Sequence, residues 1–219
     1  MIDPGLVEEM TGWRHDFHRY PELGFGEQRT SARIAELLRN FGLEVYTGIG
    51  GTGVVGVLQR GNGQASIAFR ADMDALPITE TGTPEWRSEH AGIMHACGHD
   101  VHTASLLGVA RVLNQLKAEW EGSVKLIFQP AEEKFPGGAS QMISEGVLEN
   151  PKVDKIIGQH VSPEFQSGVI GMCSGMFMAS ADEIYITVIG RGGHAAIPDR
   201  ILNPVLMSCL LYTSPSPRD

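Results

Sequence analysis

Eleven residues, 94–104, read MHACGHDVHTA and bring together His95, Cys97, His99, Asp100 and His102. Three of the chain's eight histidines and one of its three cysteines fall in this one stretch. Thiolate and imidazole hold Zn²⁺, Mn²⁺, Co²⁺ and similar ions at neutral pH, so the density points to a transition-metal centre. A single histidine more often satisfies a core hydrogen bond, but Cys97 and His99 so close together favour a metal.

Other groups have the chemistry to complete such a centre. Asp72 and Asp74 follow an apolar run at i, i+2, where an α/β sheet places its sites; the same spacing also suits an Asp turn before Pro77. Glu132 and Glu133 follow another apolar run and are fixed by Pro130, a context that favours function over a solvated charge pair. His160 ends a third short apolar run, and His194 sits in the glycine-rich loop 190–198.

The elements that must position these groups can be read from periodicity and punctuation. A helix is expected over 6–20, stopped by Pro21, and a second over 28–41, stopped by Gly42. Strands are expected over 43–46, 53–59 and 65–70, the last two flanking a hairpin-type turn at 60–63. A helix over 103–117 follows the His/Cys cluster; its positive end, pointing at the cluster, is expected to help keep Cys97 as thiolate. Strands at 123–129 and 154–159 enclose a short helix from 137 to 145. Alternation over 182–190 predicts a strand with one wet face. A helix should begin near Asn203-Pro204, and the Ser/Pro-rich end, 212–219, cannot continue it.

Composition excludes several classes. A chain of 219 residues with 42% hydrophobic residues can build a sizeable core. A formal charge of -9 argues against nucleic acid as partner. No leader-like start and no apolar run of about 18 residues is present, so no membrane partner is expected. Three scattered cysteines fit a reducing compartment, and the chain reads as cytoplasmic. Gly51-Thr52-Gly53-Val54-Val55-Gly56 imitates a dinucleotide fingerprint, with Asp72 standing in for its ribose-binding acid. The valines around it read as strand, and a pyrophosphate site needs a helix there.

Taken together, HRYPELGFGE (18–27), RADMDALP (70–77), MHACGHDVHTA, FQPAEE (128–133), GGA (137–139), His160 and GRGGHAAIP (190–198) resemble the amidohydrolases typified by hippurate hydrolase and the plant auxin-conjugate hydrolases. These form a branch of the aminoacylase and carboxypeptidase superfamily of two-metal peptidases. The resemblance implies an α/β, zinc-peptidase-like catalytic domain, a mixed sheet flanked by helices, over 1–180. The beginning of an inserted α+β lid and dimerisation domain would follow over 181–211, with 212–219 suspected to be non-native. It implies two divalent ions (Zn, Mn, Co or Ni), Cys97 bridging them, His99 and His160 on one and Glu133 on the other. Glu132 would be the general base, Asp74 would orient His99, and Asp100 would support the cluster. His194, on the lid, would reach the substrate's carboxylate or developing oxyanion, within a homodimer. The implied substrates are N-acyl-amino acids, hippurate-like or N-acetylated. Alternatives are a dipeptidase or deacetylase of the same superfamily, or a non-catalytic metal-binding remnant. Members of this family take one further histidine ligand from a segment after the lid, and none follows here. The chain is therefore expected to be an incomplete, poorly active fragment.

Overall fold

The computed structural model describes residues 3–178 and 184–213. The chain divides into two compact units, 1–164 and 165–219. In the first, α1 (Pro4–Arg19) starts where Asp3 accepts the Gly5 amide at 2.9 Å and Pro4 presets the first turn. It is followed by α2 (Gln28–Asn40), β1 (Glu44–Ile49), β2 (Gly53–Arg60), β3 (Ser66–Asp72), α3 (His99–Gln115), β4 (Gly122–Gln129), α4 (Gly138–Ser144) and β5 (Lys155–Gly158).

The five strands form one mixed sheet in the order β1-β2-β4-β3-β5. β1 and β2, and β2 and β4, pair antiparallel, while β3 runs parallel to both β4 and β5. The expected fold class, a mixed sheet flanked by helices, is the one observed. Leu6, Trp13 and Phe17 of α1, Ile34 and Leu38 of α2, and Leu107 of α3 close over Val54, Leu126 and Phe128 of the sheet. On the opposite face Met142 of α4 packs with Val55, Val57, Ala68 and Ile127. Burying each such side chain contributes about 1.5–3 kcal/mol.

β4 is buried along its whole length, which explains its central place and corrects the expected hairpin. The turn at 60–63 does not pair β2 with β3. β4 lies between them, bonded to both, because a strand apolar on both faces is satisfied only with neighbours on both edges. The glycine run before β2 leads into a strand, as expected, and not into a nucleotide-binding helix.

α3 begins at His99, four residues before the expected start. Buried His99, Asp100 and His102 form its first turn, and such polar groups carry no apolar periodicity to read. Among the described residues, no helix is long and apolar enough to cross a membrane.

In the second unit Arg191 bridges Leu202, a 3₁₀ turn spans Pro198–Arg200, and α5 covers Pro204–Thr213. The expected strand over 182–190 is not formed in its described part: 184–190 belong to no strand, and Ile184 and Ile186 are 81% and 65% exposed. Alternation makes a strand only where a partner edge and a core are supplied. The expected boundary at 180/181 lies outside the described residues, as do 214–219 of the suspected tail.

Candidate metal centre

Because β3, β4 and β5 are parallel, their carboxyl ends share one edge of the sheet. Each end delivers groups there: Asp72 and Asp74 from β3, Pro130 to Glu133 from β4, and His160 from β5. α3 brings the fourth contribution, since the segment after Cys97 turns into it at Gly98. That residue has φ +87°, and a Cβ on it would stand 2.4 Å from Val161 Cγ2, so glycine lets the His160 segment seat against the helix start.

Three sets of donors follow. Ligand atoms of Cys97, His99 and His160 lie within 4.8 Å of one another, as do those of His99, Glu132 and Glu133 and those of Asp72, His99 and His102. Cys97 Sγ is 3.3 Å from His160 Nε2. His160 Nδ1 donates to the Val161 carbonyl at 2.7 Å, which leaves the Nε2 lone pair facing the thiol. His99 Nδ1 faces Asp74 Oδ1 at 3.3 Å. Neither ring nitrogen makes a hydrogen bond although the residue is 1% exposed. Nε2 looks across a gap to Asp72 Oδ1, Glu133 Oε1 and Glu132 Oε2 at 3.7, 3.8 and 4.0 Å. A buried, unpartnered imidazole nitrogen ringed by carboxylate oxygens fits a divalent cation.

Electrostatics lead to the same fit. Burial, Glu133 and Glu132 push the Cys97 thiol up to about 12. The start of α3 therefore does not keep Cys97 ionised, contrary to expectation: burial first, and then the surrounding carboxylates, favour the neutral thiol, and a bound cation is what would make the thiolate. Burial and the Glu133 charge also raise Glu132, holding it as a stronger base than an ordinary carboxylate.

The remaining polar residues hold this frame. Burial opposes the charge of Asp72, but the hydrogen bond from His102 and the Arg70, His99 and His102 charges outweigh it and keep the carboxyl at about 2. His102 Nδ1 donates to Asp72 Oδ1 at 2.6 Å and its Nε2 accepts the Val161 amide at 2.9 Å, so both ring nitrogens are used. His102 is a brace between β3 and the His160 segment. Asp100, expected to support the cluster, pairs with Arg14 Nε at 2.8 Å and His18 Nδ1 at 2.9 Å. His95 is buried with neither ring nitrogen bonded, and burial lowers it to about 4. His194 lies in the second unit, where its Nδ1 accepts the Ala196 amide at 3.1 Å.

Sequence reasoning missed His18 and Glu80. His18 Nε2 meets Glu80 Oε1 at 3.2 Å, so one imidazole joins α1 to α3 and to the loop before the metal cluster. Neither position had a local signal. His18 stands in a helix and Glu80 in an irregular loop, and the resemblance alone singled out the segment around His18.

Known proteins resemble this chain. The family model for Peptidase family M20/M25/M40 matches residues 68–208. The chain is 40% identical over 213 residues to an N-acyl-L-amino acid amidohydrolase of Geobacillus stearothermophilus, covering 95% of this chain and 57% of that protein. It is 45% identical over 209 residues to a hippurate hydrolase of Campylobacter jejuni, covering 95% and 54%. The chain thus spans about half the length of the curated relatives it matches. Among solved structures it resembles the Bacillus subtilis YXEP protein, described as a dinuclear metal-binding peptidase, with a TM-score of 0.74 and 40% identity over 79% of this chain and 48% of that one.

Proposed function

The chain belongs to Peptidase family M20/M25/M40, and from that membership we propose that it carries the metal-binding and water-activating half of an amidohydrolase acting on N-acyl-amino acids. The observation that carries the proposal is the convergence of Cys97, His99, Glu132, Glu133 and His160 at the carboxyl ends of three parallel strands and the start of α3. Relatives named for hippurate and N-acyl-amino acids support that substrate class.

In this reading Cys97, His99 and His160 would hold one divalent ion, and Cys97 and Glu133 would hold a second. When bound, such a pair sharpens a water for attack and polarises the amide carbonyl. Glu132 takes the proton as the water oxygen bonds to the carbonyl carbon. It returns that proton to the nitrogen as the C–N bond breaks, giving a carboxylic acid and an amino acid. Adjacent glutamates divide the work, since one carboxylate cannot easily be both ligand and base. Asp74 fixes the ring of His99, so that Nδ1 carries the proton and Nε2 offers a lone pair.

His194 belongs to a proposed lid and dimerisation domain beginning near 181. Because its Nδ1 accepts the Ala196 amide, a neutral ring carries its proton on Nε2. That N–H suits a substrate carboxylate or developing oxyanion.

Hydrolysis of hippurate and N-acetyl amino acids, with and without chelator, tests the proposal beside Glu132→Gln. Loss of hydrolysis on chelation, and a Glu132→Gln rate about 10²–10⁴-fold lower with metal content unchanged, are expected. Chelator-insensitive hydrolysis, or a Glu132→Gln protein as fast as the wild type, would contradict it.

A further inference from the structure

The loop joining α1 to α2 carries a buried carboxylate that capping does not explain. Glu27 occupies the N-cap of α2, yet its side chain makes no capping hydrogen bond. Glu22 does that work, Oε1 accepting the Arg29 amide at 3.1 Å and Oε2 the Thr30 amide at 2.8 Å. Glu27, 0% exposed, reaches across the fold instead. Its Oε1 accepts the Ala131 amide at 2.8 Å and its Oε2 the Thr52 hydroxyl at 2.6 Å.

Ala131 is the residue before the Glu132–Glu133 pair, and its φ of +47° is one that residues other than glycine rarely adopt. Such a conformation persists only where surrounding contacts hold it. The same loop closes over it: a Cβ on Gly24 would stand 3.0 Å from Ala131 Cα and 3.2 Å from Lys134 Cβ. Farther along, Asp74 Oδ2 accepts the Glu133 amide at 2.9 Å. The turn is thus gripped at both ends by buried carboxylates from different parts of the chain.

We propose that Glu27 is a positioning residue, whose hydrogen bond to the Ala131 amide holds the left-handed turn that aims Glu132 and Glu133 into the metal centre. This rests on the reading of Glu133 as a ligand. It gives the segment 21–27 a task beyond linking two helices, and it acts through backbone rather than by touching metal or substrate.

Cobalt(II) affinity of the 219-residue chain, measured by calorimetry, provides the test. Glu27→Leu should weaken binding by about 10-fold. Glu27→Gln, whose amide oxygen still accepts the Ala131 N–H, should stay within about threefold of wild type. The Glu27→Leu loss should vanish when Glu133 is already Gln, as coupled residues require. An undiminished loss in that background, or no loss from Glu27→Leu, would overturn the proposal. If Glu27→Leu does not fold, Glu27→Asp keeps the charge but falls short of Ala131; a loss coupled to Glu133 is again expected, and an affinity equal to wild type overturns the proposal. A Glu133→Gln single variant that binds cobalt as tightly as wild type would instead refute the ligand assignment on which the proposal stands.

Discussion

Asp74 and Glu133 are joined by a 2.9 Å hydrogen bond from the Glu133 amide to Asp74 Oδ2, while the other oxygen of Asp74 stands 3.3 Å from His99 Nδ1. One carboxylate at the end of β3 therefore sets both the turn after β4 and the ring on α3. Burial opposes its charge, but His99 and the Glu133 and Glu132 amides outweigh that and hold its pKa below the ordinary value. Asp74→Ala should weaken divalent-metal affinity about 10–100-fold, measured by competition with a chromophoric chelator. Asp74→Asn, which can still accept the Glu133 amide, should lose less.

His102 makes a similar link without being a ligand. Replacing it by Phe removes the bond to Asp72 and the acceptor for the Val161 amide. Each orphaned buried group costs about 1–3 kcal/mol. Denaturant unfolding should show that loss, and metal affinity should fall with it because the His160 segment is released. Wild-type stability in His102→Phe would contradict the brace.

The pH dependence of folding should carry the mark of His18. Its hydrogen bond to Asp100 raises its pKa above 6.5, with burial opposing and the Asp100 charge and Glu80 adding to the rise. A raised folded-state pKa contributes stability that is fully present below 6.5 and lost as pH climbs through the raised value. Unfolding midpoints should therefore decline above pH 6.5, and His18→Gln should flatten that decline. At the acid end Asp72, held at about 2, contributes stability present above 3.8 and lost as pH falls toward 2.

The parts legible in the sequence were those with local chemistry. Apolar runs ending in polar groups located all three parallel strands and the residues at their tips, while α3 begins four residues before its expected start. Pairing order was not legible, because the turn at 60–63 suits a hairpin and only the two-sided burial of β4 sends β3 to its far edge. The strand expected over 182–190 had the right period, but 184–190 lack a paired edge. Glu27 and His18 could not be assigned from spacing, since their partners Ala131 and Asp100 lie 104 and 82 residues away.

The proposed function requires Cys97, His99 and His160 to hold a divalent ion. Anaerobic titration of the metal-free chain with Co²⁺, followed by absorption, tests it most directly, because a thiolate ligand adds a sulfur-to-cobalt charge-transfer band. The predicted result is that band in the wild type, its loss in Cys97→Ser, and weakened binding in His99→Ala and His160→Ala, with Cys173→Ser and Cys209→Ser unchanged. A band that survives in Cys97→Ser, or no band in the folded wild type, would contradict the assignment.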